Sequence, residues 1–429
     1  MPPRSQVATE ALAGVTTFFT MSYIVIVNPS ILATPGTGMN FQGVLTATVL
    51  VCFTMTLLMG LYAKLPFAVA PGMGINAFFT FSIILGRHVP WPTALGMIFW
   101  AGVLFLLISV TPVREAIARG LPASLRIAAA AGIGVFLTFI GLRNAGIVVA
   151  DPVTFVTLGV LDQRAALALG GATITVVLLN RKSHVAFLAG IFAVTVAAFA
   201  LGYVRPPEHL LSMPDFSSVF LKLDIWGALK LSLAPAMIAI MFTDLFDSIS
   251  TFVGVSHAAG LTDSDGNPRN LRQGLIVDSL ATLGAGLAGT SSGTAYIESV
   301  AGIEMGGRTG LTSVFTALCF LPCFFIAPLA ASVPPYATAP VLILVGSFMF
   351  KSVRELSMDH LEDAVPAFLT IVLIPLTFSI TLGILWGMLS HTVLYVLAGR
   401  RKEIQPVMYI LAVVAAVLLL LEHGAWSRL

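Results

Sequence analysis

Two stretches of this sequence decide the fold: Ala70-Pro-Gly-Met-Gly-Ile-Asn-Ala-Phe-Phe-Thr80 and Gly289-Thr-Ser-Ser-Gly-Thr-Ala-Tyr-Ile-Glu-Ser299. Both contain residues that form helices poorly, although both lie between strongly apolar segments. A broken helix at membrane depth leaves peptide N–H and C=O groups unpaired, which is tolerated only against protein or a wet cavity. Paired interruptions in the two halves of a membrane protein indicate a binding site near the middle of the bilayer.

The composition makes lipid the solvent for most of the chain. Of its 429 residues, 57% are hydrophobic and 10% are charged, and the mean hydropathy is +0.97; soluble domains carry about 25% charged residues. Apolar runs long enough to cross the hydrocarbon core recur along the chain. We therefore expect an all-α polytopic membrane protein. A net charge of +2 does not provide a surface for nucleic acid.

Apolar runs bounded by Pro, Gly and charged residues predict 14 spans in two sets of seven, separated by the polar segment 204–229. Because seven is odd, the two halves must have opposite orientations, which is the inverted-repeat plan of many secondary transporters. The run 407–422 is left over. It could be a fifteenth span, a helix on the bilayer surface, or a sign that one span is misassigned. The predicted spans are 13–34, 43–63, 67–85, 92–111, 126–146, 164–180, 184–203, 233–258, 272–289, 291–306, 310–331, 337–351, 364–380 and 381–398.

The distribution of basic residues predicts the orientation. With the N-terminus in the cytoplasm, fifteen of the 22 Lys and Arg residues lie at cytoplasmic ends and six lie outside, while Arg428 is in the unassigned tail. This bias follows the positive-inside rule. We expect a multi-pass protein of a bacterial inner membrane with a cytoplasmic N-terminus.

Carboxylates within the predicted spans require a cavity or a partner, because each costs about 2.5–3.5 kcal/mol near the centre of a bilayer. Asp247 lies in the middle of a polar stripe on the eighth span, so it is predicted to face a cavity. Asp244 is three residues earlier and has a hydrogen bond to a neighbouring helix as its alternative role. The stripe consists of Thr243, Asp247, Ser250, Thr251 and Gly254.

Further candidates lie near the two interruptions. Glu298 follows the second one without a basic residue nearby, and Asn76 in the first offers two donors and one acceptor. Asp278 is predicted to brace the broken backbone, with substrate contact as the alternative. Phe246 is a candidate for stacking on a planar ligand, although lipid or core packing is equally open to a Phe.

An enzyme is the alternative from a different class. The spacing of Asp244 and Asp247 is shared with the magnesium–diphosphate motif of intramembrane transferases. Such a site needs a second acidic cluster and basic residues for the diphosphate, and the sequence offers neither. We therefore predict no enzymatic activity, no metal site and no cofactor.

Together these motifs resemble those of the AzgA-like purine permeases, a branch of the nucleobase/ascorbate transporter superfamily. The resemblance covers nearly the whole chain. It rests on residues 13–23, Val27-Asn28-Pro29, residues 70–79, Asp244-Leu-Phe-Asp247, and residues 289–299 followed by Gly306-Gly-Arg-Thr-Gly310.

The resemblance implies a core domain of residues 1–112 and 230–333 and a gate domain of residues 113–229 and 334–429. It implies that spans 3 and 10 each contain a short strand followed by a half helix. The implied function is import of purine nucleobases, adenine or hypoxanthine and guanine, by proton symport, with a homodimer as a possible assembly. A related permease for xanthine or uracil is the nearer alternative.

The resemblance also implies site residues. Asn76, Asp247 and Glu298 correspond to the family's purine-binding positions, and Asp278 and Thr17 are expected nearby. Ile297 and Ser299 flank Glu298 and complete the predicted substrate set, while proton coupling is expected at Asp247, Glu298, Asp278 or Asp244. Ser250 stands where the family motif usually has Gly, which leaves the preferred base open.

Overall fold

A computed structural model describes residues 4–111, 122–262 and 268–423, and these residues are mostly helical. The predicted domain boundary at 112/113 lies outside the described residues, as do Arg114, Arg119 and Arg428. The helices are α1 (Arg4–Met21), α2 (Ile24–Leu32), α3 (Phe41–Leu58), α4 (Met73–Ala77), α5 (Trp91–Val110), α6 (Ala123–Asn144), α7 (Gln163–Asn180), α8 (Ala186–Ala200), α9 (Ala234–Ala259), α10 (Leu271–Ala288), α11 (Ser299–Glu304), α12 (Gly310–Phe320), α13 (Ala327–Ala331), α14 (Pro335–Phe350), α15 (Leu361–Thr377), α16 (Ile380–Leu397) and α17 (Pro406–His423).

Short irregular helices extend several of these elements. π-Helical turns continue α3 at Met59–Ala63 and α4 at Phe78–Gly86. Turns of 3-10 helix lie at Gly227–Leu229, Leu231–Leu233, Leu321–Phe325, Lys351–Glu355 and Arg401–Glu403.

Length and apolar composition identify candidate membrane spans. In the described ranges, eight helical stretches are long and apolar enough to cross a bilayer. Further apolar helices are shorter, including Met73–Gly86 and Pro406–Leu420. The eight stretches are Gln6–Leu32, Phe41–Ala63, Trp91–Val110, Ala123–Asn144, Gln163–Asn180, Leu231–Ser256, Pro335–Glu355 and Ile380–Leu397.

Two short strands pair where the sequence predicts broken helices, and this pairing is called the strand crossing below. β1 (Val69–Pro71) pairs antiparallel with β4 (Gly293–Ala295), and all the residues of both strands are buried. The pairing extends past the strands, because Gly72 N–H donates to the Ser292 carbonyl at 2.8 Å and Tyr296 N–H donates to the Ala68 carbonyl at 2.9 Å. Short strands therefore lie in both interrupted segments, as the resemblance implies.

Side chains from neighbouring elements form hydrogen bonds with further peptide groups at the strand crossing. Asp278 on α10 accepts the Ala295 N–H at 3.0 Å. The Tyr296 hydroxyl donates to the Pro71 carbonyl at 2.5 Å. Thr56 accepts the Val69 N–H at 2.9 Å, and Ser299 accepts the Ala68 N–H at 3.0 Å. Buried peptide groups near the strands thereby gain partners that the missing helical turns do not supply.

The helices pack in two groups. In the first group, α10 contacts α5 and α3, and α12 contacts α1 and α3, so residues before 111 pack against residues 234–331. In the second group, α14 contacts α6, α7 and α8, while α15 contacts α6 and α16. Helices α4 and α9 of the first group touch α6 of the second.

An exposed hairpin differs from the all-helical expectation. β2 (Val148–Asp151) and β3 (Phe155–Leu158) pair antiparallel between α6 and α7. Asp151 accepts the N–H groups of Val153 and Thr154 at 2.8 and 2.7 Å, which fixes the turn. The sequence analysis assigned no element here, because the segment is too short to span a membrane.

Glu10 fastens the first helix to the start of α12. Its side chain is 1% exposed and accepts the N–H groups of Arg308 and Thr309 at 3.2 and 3.4 Å and the Thr312 hydroxyl. A carboxylate at a helix N-terminus also interacts favourably with the helix dipole. Gly310 is required at the same place, because a Cβ there would lie 1.9 Å from the Gly60 carbonyl oxygen.

Replacing Glu10 tests this connection. Glu10→Ala leaves two N–H groups at the start of α12 without their acceptor, and a buried unsatisfied group costs about 1–3 kcal/mol. We expect the apparent melting temperature of the purified protein in detergent to fall by several degrees. Glu304→Ala, at the exposed end of α11, is the control. Equal melting temperatures for the two variants would contradict this role of Glu10.

Candidate functional site

A cavity of about 260 Å³ lies beside the strand crossing, between the two packing groups. The first group provides the start of α4, the polar face of α9 and the segment after β4. The second group provides α6, α14 and the turn that follows α14. The lining residues that carry the chemistry are Tyr23, Asp247, Ser250, Thr251, Thr294 and Glu298.

A second, smaller cavity of about 70 Å³ adjoins the first. Asp247, Ser250 and Met349 line both cavities, while Arg126 and Phe246 line only the smaller one. Asp247 is half-buried, and in the described part of the chain no hydrogen bond fixes its carboxylate. The structure therefore places Asp247 in the lining of both cavities.

Glu298 also lines the larger cavity and lies immediately before α11. Its Oε1 accepts the Tyr23 hydroxyl at 2.5 Å. Ile297 beside it is 63% exposed and lines the larger cavity. Both residues belong to the predicted substrate set, and the structure places them next to each other in the lining of the larger cavity.

Tyr23 is a cavity residue that the sequence analysis did not predict. It lies at the break between α1 and α2, is fully buried, and packs against Phe187 with tilted rings whose centroids are 4.9 Å apart. Its hydroxyl orients Glu298 because it donates to one carboxylate oxygen. The available signal was a tyrosine at the end of run 13–23, one of the runs that carry the family resemblance, between the polar Ser22 and an apolar segment.

Five predicted site residues do not line either cavity. Asn76 is fully buried, and its side-chain oxygen accepts the Ser291 hydroxyl while its nitrogen has no partner among the described residues. Asp244 accepts the Thr282 hydroxyl. Thr17 is buried against α11 at Gly302. Asp278 and Ser299 hold the strand crossing, as described above.

Phe246 occupies an intermediate position. It lines only the smaller cavity and stacks nearly parallel on Phe242, with ring centroids 5.8 Å apart. One ring face is thus already used within α9. Its contact with the cavity is through the remaining surface.

The electrostatics of the cavity combine two carboxylates with a helix N-terminus. Gly72, Met73 and Gly74, at the N-terminus of α4, line the larger cavity together with Asp247 and Glu298. The helix continues through the π-helical turns to Gly86, so the positive end of its dipole lies at this cavity. The cavity therefore offers peptide donors, hydroxyl groups and carboxylate acceptors within one small space.

Comparison with known proteins identifies the family of this chain. Residues 8–386 match the model described as the Permease family. The chain belongs to this family. It is 43% identical over 409 residues to the putative permease MJ0326 of Methanocaldococcus jannaschii, covering 95% of this chain and 93% of that protein. Family membership places it among permeases rather than among the intramembrane enzymes considered above.

Two further relatives have more specific names. The adenine permease AdeP of Escherichia coli is 41% identical over 405 residues, with 94% of this chain and 91% of AdeP covered. The guanine/hypoxanthine permease PbuO of Bacillus subtilis is 38% identical over 419 residues, with 96% of each chain covered.

Solved structures share the fold. The transmembrane domain of the cyanobacterial bicarbonate transporter BicA superposes with a TM-score of 0.65 at 18% identity, covering 90% of this chain and 98% of that domain. SLC26A9 superposes with a TM-score of 0.62 at 10% identity, covering 93% and 66%. The permease therefore has the mostly helical fold of these membrane transporters.

The position of the cavity can be tested by cysteine labelling. In a variant lacking Cys52, Cys319 and Cys323, Ser250→Cys should react readily with N-ethylmaleimide, because Ser250 is exposed in the cavity. Ser248→Cys, two residues away and fully buried, is the matched control and should react slowly. Mass spectrometry measures both rates. Similar rates at the two positions would contradict the described cavity face of α9.

Proposed function

We propose that this permease is a secondary active transporter that imports purine nucleobases by proton symport. One observation carries the proposal: Asp247 and Glu298 face a single cavity at the crossing of two broken spans. The names of its relatives support the substrate class, because AdeP is an adenine permease and PbuO is a guanine/hypoxanthine permease.

The chemistry of a purine suits this cavity. Ring and exocyclic N–H groups donate to Asp247 and Glu298, and charge-assisted hydrogen bonds of this kind are short and strong. Ring nitrogens accept hydrogen bonds from the start of α4 or from the hydroxyls of Ser250 and Thr251. Ile297 contacts the apolar face of the base. Tyr23 keeps Glu298 oriented while the base binds.

The predicted residues outside the cavity are proposed to support it in this conformation. Asn76 joins α4 to the segment before β4 through Ser291. Asp244 and Asp278 hold α9, α10 and β4 together. Thr17 and Ser299 position α11, which carries the wall with Glu298.

Proton coupling follows from the cost of closing a cavity over ionised carboxylates. Asp247 or Glu298 takes up a proton with the base, which removes a charge before water is excluded. The larger cavity extends to Ser352, beside Lys351 and Arg354, which the positive-inside rule assigns to the cytoplasm. We propose that this conformation is open to the cytoplasm and that the first packing group moves against the second.

The finer architecture is part of the same proposal. Fourteen spans form a seven-plus-seven inverted repeat, and the antiparallel pairing of β1 with β4 supports this because equivalent strands of inverted halves run in opposite directions. The two packing groups support a core of residues 1–112 and 230–333 and a gate of residues 113–229 and 334–429. The N-terminus lies in the cytoplasm of a bacterial inner-membrane protein. A homodimer would use the exposed apolar surface of α7.

The C-terminal helix α17 is proposed to cross the membrane as well. It packs along α16 and α9, and Leu411 and Leu418, two turns apart, line one apolar cavity with residues of both helices. Alkaline phosphatase, which is active only outside the inner membrane, should be active when fused after residue 423 and inactive after residue 403. Inactive enzyme at both positions, with both fusions expressed, would contradict a crossing by α17.

Competition uptake tests the substrate class. In a bacterial strain deficient in purine transport, the expressed protein should take up radiolabelled adenine or hypoxanthine saturably, and a protonophore should abolish accumulation. The better competitor identifies the preferred base. Uptake of xanthine or uracil instead of these bases, from the same expressed protein, would establish the alternative permease and overturn the purine proposal.

Neutralising Asp247 tests the coupling. Asp247→Asn should weaken substrate binding about tenfold or more, because hydrogen bonds to charged groups contribute about 1.5–3 kcal/mol. The remaining uptake should no longer follow the proton gradient. Glu304→Gln, which changes an exposed carboxylate, is the control. Uptake by Asp247→Asn that depends fully on the gradient would exclude Asp247 as the proton carrier.

A further inference from the structure

Arg126 is a basic residue that has no role in the transport mechanism proposed above. It lies near the start of α6, in the second packing group, and lines the smaller cavity together with Asp247 of the first group. Its Nε atom is buried without a hydrogen-bond partner. Across the described residues, no carboxylate lies within 4.0 Å of its guanidinium. A half-buried cation, without an anionic partner in the described part of the chain, therefore shares a cavity with the carboxylate of Asp247.

The lining of the two cavities separates Arg126 from the proposed carboxylate pair. Asp247, Ser250 and Met349 line both cavities, so the two spaces adjoin. Arg126 lines only the smaller one, of about 70 Å³, whereas Glu298 lines only the larger one, of about 260 Å³. Arg126 therefore shares a cavity with Asp247 and lies outside the cavity that contains both carboxylates.

Other charged groups near α6 do not reach this space. Lys351, Arg354 and Glu355 lie on the turn after α14, and His391 lies on α16, but none of them lines either cavity. Glu362 and Asp363 at the start of α15 lie 2.7 and 3.9 Å from Arg400 and face that cation instead. In the parts of the chain that the structure describes, Arg126 is thus the basic residue that lines a cavity together with Asp247.

We propose that Arg126 is the counter-charge of Asp247 in the substrate-free carrier. The inference rests on the proposed purine symport. After the base and the proton leave, Asp247 is ionised, and the empty carrier must close over it to return. An ion pair between Arg126 and Asp247 across the boundary of the packing groups neutralises this charge in a drying cavity, where attraction strengthens. When the proton returns to Asp247, the pair separates and the loaded carrier forms without it.

Net uptake and exchange separate this role from substrate binding. Net uptake requires the empty carrier to return, whereas exchange of internal for external substrate uses only the loaded carrier. In proteoliposomes, Arg126→Gln should lower net uptake of radiolabelled hypoxanthine or adenine by about tenfold or more. Exchange into vesicles preloaded with the same base should stay close to wild type. Arg126→Lys, which keeps the positive charge, should retain much of the net uptake.

Two controls make the result specific. Arg143→Gln removes one positive charge from the other end of α6, outside both cavities, and should leave both activities unchanged. Combining Arg126→Gln with Asp247→Asn should give no further loss beyond Asp247→Asn alone, because the pair acts as a unit. Comparable melting temperatures in detergent establish that the variants fold.

The contrary outcomes are equally defined. Equal losses of net uptake and exchange in Arg126→Gln would make Arg126 a substrate-binding or structural residue and overturn the proposal. Unchanged net uptake would also overturn it. A wild-type protein that transports none of the purines would overturn the proposed function, and this inference with it, before any variant is compared.

Discussion

The pairing of β1 with β4 is the interaction on which the rest of the structure depends. Broken helices at membrane depth expose peptide groups that lipid cannot satisfy, and here the two broken spans satisfy each other. The ladder is short, so buried side chains complete it, with Asp278, Tyr296, Thr56 and Ser299 bonding the adjacent backbone. The same interruptions place the start of α4 and the residues before α11 beside one cavity.

The intramembrane carboxylates divide by the partners they have. Asp244 and Asp278 are fully buried and accept hydrogen bonds from elements next to the crossing. Asp247 and Glu298 face the cavity, and only Glu298 is held, by the Tyr23 hydroxyl. Asp244 and Asp278 therefore stabilise the packing around the strand crossing, whereas Asp247 and Glu298 are available to a ligand. The division follows from geometry, since Asp244 and Asp247 are only three residues apart on α9.

Much of this arrangement was readable from the sequence because it follows from local rules. Poor helix formers at membrane depth predicted the two interruptions, and the family resemblance implied the strands within them. The polar stripe of α9 predicted a cavity face for Asp247. The positions of Asn76 and Thr17 outside both cavities were harder to predict, because a residue's distance from a cavity depends on packing between remote segments. Tyr23 was missed for a similar reason, because its role depends on a hydrogen bond to a residue 275 positions away in the sequence. The β2–β3 hairpin was not predicted because its strands are short and no face of it is buried.

The crossing also constrains how the protein is made. Val69 pairs with Ala295, so β1 is synthesised long before its partner strand. During synthesis the segment around β1 must therefore remain with unpaired peptide groups, sheltered by water, by the translocation machinery or by neighbouring helices, until residue 295 enters the membrane. Truncated chains that end before β4 lack this partner entirely. Such chains are the natural targets of membrane quality control, because they expose an unsatisfied strand to lipid.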